Sequence, residues 1–100
     1  MDDRFRDIAG LDRLIHDPSR LAIMTVLSVC QEADFTYLLN ITGLTKGNLS
    51  SHIAKLEENK LVSVRKTFKS KKPVTFLKLT KSGKDAIEAH WQKLNSLGQT

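Results

Sequence analysis

The 100 residues of the chain suffice for one domain with a hydrophobic core, and a composition of 40% hydrophobic and 27% charged residues excludes a fibrous or disordered protein. The net charge of +5 is uneven: residues 1–34 carry four basic and seven acidic groups, whereas residues 35–100 carry twelve and four, which gives balances of −3 and +8. We therefore expect the second part to meet a polyanion.

The residue content argues against several kinds of protein. Cys30 is the only cysteine and cannot form an intrachain disulfide, so we expect a protein of the reducing cytoplasm. The charged start and the short apolar runs indicate neither a signal peptide nor a membrane span. The sequence has no nucleophile elbow or glycine-rich phosphate loop, and His16 and His90 lack metal-ligand spacing. We expect no enzyme activity, cofactor or metal.

The first third of the chain predicts two helices. The first covers residues 4–16, where apolar residues recur at helical spacing: Phe5, Ile8, Leu11, Leu14 and Ile15. Asp17 followed by Pro18 is a helix start, because aspartate caps free N–H groups and the first helical position does not need the N–H that proline lacks. The second helix runs from Pro18 to about Val29 and is apolar almost all round, so we expect it at the centre of the fold.

A helix-turn-helix follows. Residues 32–35 form a short connection with room for one extended pair of residues. Thr36 is predicted to cap a brief helix over residues 37–42, and Gly43 fits the left-handed position that ends a helix. A tight turn then leads to a longer helix over residues 45–59.

The helix over residues 45–59 carries the functional prediction, and Thr45 is its expected cap. Three apolar residues lie on one face: Leu49, Ile53 and Leu56. The opposite face is small and polar. Lys46 meets the positive end of the helix dipole and two glutamates follow at the negative end, which is unfavourable for a solvated helix. Contact with polyanionic DNA would explain this order of charges, and an ordinary surface helix is the alternative.

After this helix the apolar period changes from 3.6 to 2, which predicts a β-hairpin. The first strand covers residues 61–68, and Lys66 is the only polar break on its apolar face. The apolar residues of that face are Val62, Val64 and Phe68. The partner strand contains Val74, Phe76, Leu77 and Leu79. A polar turn over residues 69–73, with three lysines, joins them. Thr80 is predicted to cap a last helix from Lys81 to about Leu97.

At this point the sequence resembles a known group. The stretch LTKGNLSSHIAKLEENKLVSVRK, from Leu44 to Lys66, resembles the segment shared by MarR- and ArsR-type transcription regulators, in which an L-S-x-H-I-x-x-L-E core precedes a wing. Residues 17–20 are similar to the D-P-x-R start of their second helix, and LTKSGKDAI, residues 79–87, is similar to their junction after the wing. The resemblance implies a winged helix-turn-helix, a mainly α fold with a small β-hairpin wing, as a single domain over residues 1–100.

Two departures from the family pattern matter. Lys60 follows Asn59 where the family has a glycine suited to a left-handed helix end. Either residue can adopt a positive φ at some cost, or the helix end is reorganised. The metal-binding cysteine motif of many ArsR-type sensors is missing, because Cys30 stands alone, and this argues against a thiolate metal sensor.

The resemblance implies that the helix over residues 45–59 enters the major groove while the wing, residues 61–79, follows the flanking backbone or minor groove. The helix residues expected to read or anchor DNA are Lys46, Asn48, Ser50, Ser51 and Lys55, with Thr45 and His52 beside phosphates. The expected wing contacts are Arg65, Lys66, Lys69, Ser70, Lys71 and Lys72. Residues 45–81 hold ten basic and two acidic groups, a balance of +8, so binding should weaken steeply with salt. The alternative for the wing lysines is that they only form a solvent-exposed hairpin tip. The alternative for His52 is that it makes a hydrogen bond at the edge of the core.

The first and last helices each carry a stripe of apolar residues, and the interior of so small a domain has too little room to bury both stripes. We expect them to pair across a twofold axis in a homodimer, through Phe5, Ile8, Leu11, Ile87, Trp91 and Leu94. Two recognition helices would then lie about 34–36 Å apart, for a palindromic double-stranded DNA site. The alternative is that these side chains fold back on their own core.

The functional prediction is a sequence-specific DNA-binding transcriptional regulator, with repression as the expected role. The alternative is a winged-helix module that binds proteins without specific DNA binding. A continuous basic surface over the helix and the wing would favour DNA, and the positions of Lys46, Lys55, Arg65 and Lys71 indicate one. No residue cluster specifies a small-molecule effector.

Overall fold

The computed structural model describes residues 13–98, with side chains as far as Asn95. Residues 13–15 are helical, and the rest of the helix predicted over residues 4–16 lies outside the described residues. The elements that follow are α1 (Pro18–Val29), β1 (Ala33–Asp34), α2 (Phe35–Thr42), α3 (Lys46–Glu58), β2 (Val62–Lys69), β3 (Lys72–Leu79) and α4 (Lys81–Gly98). This order confirms the predicted mainly helical fold with a hairpin wing.

Helix α1 begins where the sequence predicted. The backbone N–H groups of Ser19 and Arg20 donate to Asp17 Oδ1 at 2.9 and 3.1 Å, and Pro18 occupies the first helical position. Three of its side chains are fully buried: Ile23, Met24 and Leu27. They belong to one core cluster with the inner faces of α3 and α4 and the base of the sheet, so α1 is central as expected.

Helix α2 begins two residues earlier than predicted, and Thr36 is not its cap. The extended pair β1 ends in Asp34, whose Oδ1 accepts from the Tyr37 backbone N–H at 2.7 Å. An aspartate with extended backbone immediately before a helix is a better cap than a threonine inside it, so the helix starts at Phe35. Gly43, with φ of 70°, ends the helix in the predicted left-handed conformation.

The three strands form an antiparallel sheet in the order β1-β3-β2. Strands β2 and β3 pair without interruption from Val62 opposite Leu79 to Lys69 opposite Lys72. The predicted five-residue turn over residues 69–73 is therefore wrong, because only Ser70 and Lys71 lie between the strands. Both have positive φ, 53° and 65°. A two-residue turn of this kind matches the right-handed twist of the strands, which favours continued pairing over a longer loop.

The hairpin extends beyond the core, so the predicted apolar face of β2 is buried at one end of the strand and exposed at the other. Val62 is 2% exposed and Val64 is half-buried, whereas Phe68 is 76% exposed. The alternation of the strand continues to its end, but Phe68 lies beyond the buried part of the sheet.

The C-terminal end of α3 keeps a regular helix stop although it has no glycine. Lys60 has φ of 61°, its N–H donates to Glu57 O at 2.9 Å, and the Leu61 N–H donates to Leu56 O at 2.9 Å. These two bonds are those of the Schellman motif, with Lys60 in the position that glycine usually takes. The end of α3 is therefore formed in the usual way, at the cost of a left-handed lysine.

The junction between the wing and α4 is tied to this helix end. Thr80 Oγ1 donates to Lys60 O at 2.6 Å and accepts from the Gly83 N–H at 3.0 Å, so Thr80 caps α4 as predicted. A Cβ atom at Gly83 would lie 2.0 Å from Leu61 O. Only glycine fits this approach of helix to backbone, which accounts for the glycine of the L-T-x-x-G segment.

Candidate nucleic-acid interface

Helix α3 has one apolar, buried face and one polar, exposed face, as predicted. Its inner side chains, Leu49, Ile53 and Leu56, are 0%, 7% and 0% exposed. Thr45 caps the helix, with its Oγ1 accepting from the Asn48 N–H at 3.1 Å. The outer face is exposed and consists of Lys46, Gly47, Asn48, Ser50, Ser51, Ala54 and Lys55. Small and polar side chains over a whole helix face allow the backbone to approach another surface closely.

The turn between α2 and α3 contains only residues 43–45, so the two helices form the predicted helix-turn-helix. The first turn of α3 holds no acidic residue. Its free N–H groups and the Lys46 side chain therefore present positive charge at the exposed end of the helix, which favours an anion.

An open cleft of about 360 Å³ separates α3 from the wing. Ser50, Ala54 and Glu57 line the helix side, and Val64, Lys66 and Thr75 line the wing side. Two of the predicted DNA-binding residues, Ser50 and Lys66, thus lie on opposite walls of one cleft. Glu57, which the sequence indicated only as a residue near the end of the helix, also lines this cleft. Because Glu57 is negatively charged, the positive charge of this region comes from the start of α3 and from the wing.

The other wing lysines predicted to contact DNA lie around the tip of the hairpin. Lys69, Ser70, Lys71 and Lys72 are all exposed and occupy the turn and the residues directly before and after it. Together with Lys66 they bring four amino groups to one end of the hairpin. The structure therefore brings the predicted lysines of the wing together.

Arg65 differs from these lysines because other side chains of the protein already contact it. Its Nη2 donates to Glu32 Oε1 at 3.1 Å, and its Cζ lies 4.6 Å from the centre of the Phe76 ring. Arg65 is also on the opposite face of the sheet from Lys66, since neighbouring residues of a strand alternate. Its side chain remains 57% exposed, so a phosphate contact stays a prediction.

His52 lies at the edge of the core, in contact with Arg20 of α1. His52 Nδ1 is 3.4 Å from Arg20 Nη1. A guanidinium can only donate, so a hydrogen bond between these two atoms has Nδ1 as its acceptor. This contact agrees with the core-edge alternative for His52, and it leaves Nε2, on the other side of the ring, for the predicted phosphate contact.

The Arg20 guanidinium contacts three separate groups in this region. Besides His52, its Nε donates to Leu14 O and its Nη2 lies 4.0 Å from Asp17 Oδ2. The backbone N–H of Arg20 lowers the pKa of Asp17, and the guanidinium charge lowers it further against the opposing effect of burial. The sequence showed Arg20 only as part of the D-P-x-R segment, and the pairing with His52, 32 residues away, had no signal in the sequence.

Of the α4 residues predicted for the dimer interface, one is buried in the core and two are exposed. Ile87 is 2% exposed and packs in the core of its own chain, whereas Trp91 and Leu94 are 41% and 42% exposed. Phe5, Ile8 and Leu11 lie outside the described residues. His90, next to Trp91, is 7% exposed, and its ring centre is 6.1 Å from that of His16.

Among residues 13–98 no group of three or more histidine, cysteine, aspartate or glutamate side chains is placed to hold a metal ion. Cys30 is a free, half-buried thiol. Within the same part of the chain, no helix is both long and apolar enough to cross a membrane.

Comparison with known proteins agrees with this geometry. An uncharacterized protein of Methanocaldococcus jannaschii is 28% identical over 87 residues, which are 87% of this chain and 95% of that protein. The structure of a transcriptional regulator homologue from Pyrococcus horikoshii OT3 superposes with a TM-score of 0.83 at 28% identity, over 98% of this chain and 96% of that one.

The transcriptional repressor BigR from Xylella fastidiosa has the same fold, with a TM-score of 0.73 at 23% identity, over 95% of this chain and 90% of its own. Structures of a MarR-family regulator and of an ArsR-family regulator share the fold at 20% and 21% identity, as the resemblance implied for the fold. The family model for the winged helix DNA-binding domain matches residues 19–97. The chain therefore belongs to the winged helix DNA-binding domain family.

Proposed function

We propose that the protein is a sequence-specific transcriptional regulator that represses by occupying its DNA site, in the cytoplasm. The observation that carries the proposal is the arrangement of exposed lysines from the start of α3 to the wing tip. Lys46 and Lys55 lie on the outer face of α3, Lys66 lies across the cleft, and Lys71 lies at the tip. A basic surface of this length fits the backbone of double-stranded DNA.

In this mode α3 lies in the major groove. The exposed side chains of Asn48, Ser50 and Ser51 can donate to and accept from base edges, while Lys46 and Lys55 reach phosphates or bases. Gly47 supports the proposal, because its Cα is open to solvent and allows the groove to approach the backbone. The wing then lies on the flanking backbone and the adjacent minor groove.

The proposed assembly is a homodimer on a palindromic site. Trp91 and Leu94 lie one turn apart on α4, and both are large apolar side chains that the described chain leaves about two-fifths exposed. Pairing of this face with a second copy would cover them and place two copies of α3 about 34–36 Å apart. Sedimentation that gives a monomer at micromolar concentration would contradict the dimer.

The test is a titration of the protein against its own upstream DNA and against a scrambled duplex, at two salt concentrations. We expect selective binding that weakens with salt. Lys55→Glu should abolish selective binding and leave the helical signal unchanged, because Lys55 is exposed on the outer face. Lys84→Glu makes the same charge change on the exposed surface of α4 and serves as the control. Equal and weak binding to both duplexes would overturn the proposal and favour a protein partner.

The wing has its own test. Removing two tip charges with Lys71→Ala and Lys72→Ala should weaken binding to all sequences similarly, because phosphate contacts carry no sequence information. The slope of log K against log salt should become shallower by about one for each phosphate that a lysine no longer neutralises. A selective decrease for one sequence would show that the tip reads bases instead.

A further inference from the structure

Phe68 stands out on the described surface because a large apolar ring lies exposed among positive charges. It is 76% exposed near the end of β2, and Lys69 follows it directly. Lys66 precedes it by two residues, and Lys71 and Lys72 lie around the turn. Because 76% of its surface is exposed, the ring makes little apolar contact with the rest of the described chain. An exposed phenyl ring that does not stabilise the core calls for another explanation.

The register of the hairpin places Phe68 on the side of the sheet that faces α3. Residues directly opposite in an antiparallel pair share a face, and the pairs alternate between the faces along the hairpin. Lys66 lies opposite Thr75, and both line the cleft between the wing and α3. Phe68 lies opposite Pro73, in the next outward pair of the same face. The ring is therefore beyond the cleft and on the same side as the recognition helix.

The chemistry around the ring selects its partner. Four lysines in the immediate neighbourhood favour a polyanion, and a phenyl ring needs an apolar surface inside that polyanion. DNA has both, because the phosphates line its grooves and the faces of the bases form an apolar stack. In the proposed binding mode the wing lies on the adjacent minor groove, so that is the groove the ring meets.

We propose that Phe68 is an apolar wedge that enters the minor groove beside the α3 contact and partly unstacks one base step. The lysines of the tip hold the phosphates on either side of the groove while the ring inserts between bases, as apolar side chains do in minor-groove binding proteins. This proposal rests on the proposed DNA binding. Phe68 would then influence which DNA sequences the protein prefers. Pyrimidine–purine steps unstack most easily, so they should be favoured at the point where the ring inserts.

The test compares the wild-type protein with Phe68→Ala and Phe68→Leu on a duplex selected by the wild-type protein from random sequences. Unstacked thymines are mapped with permanganate along the whole duplex at saturating protein. We expect a reactive thymine next to the α3 footprint with the wild-type protein and with Phe68→Leu, which keeps an apolar wedge, and none with Phe68→Ala. Affinity should fall about tenfold or more in Phe68→Ala.

The salt dependence separates a wedge from an electrostatic effect. Phe68→Ala removes no charge, so the slope of log K against log salt should equal that of the wild-type protein, whereas Lys71→Ala should change it. Val29→Ala is the matched control, because Val29 is an apolar residue of similar exposure, 78%, at the end of α1. It should change neither affinity nor permanganate reactivity. All binding measurements are made at a temperature below the thermal unfolding transition of every variant.

The outcomes distinguish the two proposals. If the wild-type protein binds its selected duplex tightly but leaves all thymines unreactive, or if Phe68→Ala retains the reactive thymine, the wedge is wrong while DNA binding stands. If no duplex is selected from the random sequences, the proposed function fails and the wedge fails with it.

Discussion

Arg20 Nη1 lies 3.4 Å from His52 Nδ1 and thereby connects the start of α1 to the middle of α3. The Arg20 side chain is only 14% exposed, and it also bonds to the carbonyl of Leu14 and lies next to Asp17. The position of α3 relative to α1 is therefore determined by a polar contact as well as by the apolar core.

We expect Arg20→Ala to lower the free energy of unfolding by about 1–3 kcal/mol, because it leaves the partly buried Leu14 carbonyl without its donor. DNA affinity should fall as well, since His52 would no longer have the partner that orients it. Arg20→Lys should restore little, because a single ammonium cannot bond in the directions of a guanidinium. Urea unfolding of Arg20→Ala, His52→Ala and the double variant checks this, and strictly additive effects would show that the two residues are not coupled.

The stability of α1 should depend on pH through Asp17. The pKa of Asp17 in the folded protein is lowered from its ordinary value of 3.8, first by the Arg20 N–H that its carboxylate accepts. A lowered pKa gives a stabilisation that is complete above the unfolded value and is lost as the pH falls through the folded value. Relative to Asp17→Asn, the wild-type protein should keep a constant advantage from pH 7 to about pH 5 and lose it below about pH 4. Urea unfolding at each pH measures this, and an advantage that does not decrease as the pH falls below about 4 would contradict it.

Much of the fold could be predicted because its signals are local. Asp17 with Pro18, Gly43 and Thr45 each mark a helix end by their own chemistry, and the spacing of Leu49, Ile53 and Leu56 is that of one buried helix face. Periodicity and capping depend on residues a few positions apart, so a sequence shows them directly.

The sequence predicted less well those features that depend on residues far apart in the chain or on where the core ends. The alternation of β2 correctly places Phe68 on the face of Val62, but where the covering core ends is a tertiary property, and the ring lies beyond it. The turn was predicted too long because lysines and a proline are typical of loops, while the pairing of Phe68 with Pro73 continues the sheet. The site residues of α3 followed from its exposed face, whereas the contacts of Arg65 with Glu32 and Phe76 join segments far apart in the chain.

Lys60→Gly should stabilise the protein. Lys60 has φ of 61°, a conformation that costs an L-residue about 1 kcal/mol and glycine almost nothing. We expect the free energy of unfolding to rise by up to about 1 kcal/mol, because both backbone bonds of the helix stop remain. Asn59→Gly is the control, since Asn59 has φ of −90° and its side-chain amide donates to Lys55 O at 2.8 Å. That variant should be less stable than the wild-type protein, and a gain in both would show that the strain is not specific to Lys60.

Gly47→Ala should separate stability from DNA binding. Gly47 lies in the first turn of α3, and nothing lies within 4 Å of the position its Cβ would take. Alanine is a better helix former, so thermal unfolding should show an unchanged or higher stability, by up to about 1 kcal/mol. If the groove approaches the backbone here, the added methyl group should weaken specific DNA binding although the free protein is not impaired. Ala54→Gly, on the same exposed face, should show the opposite change in stability. Unchanged affinity in Gly47→Ala would show that the start of α3 does not lie close against the groove.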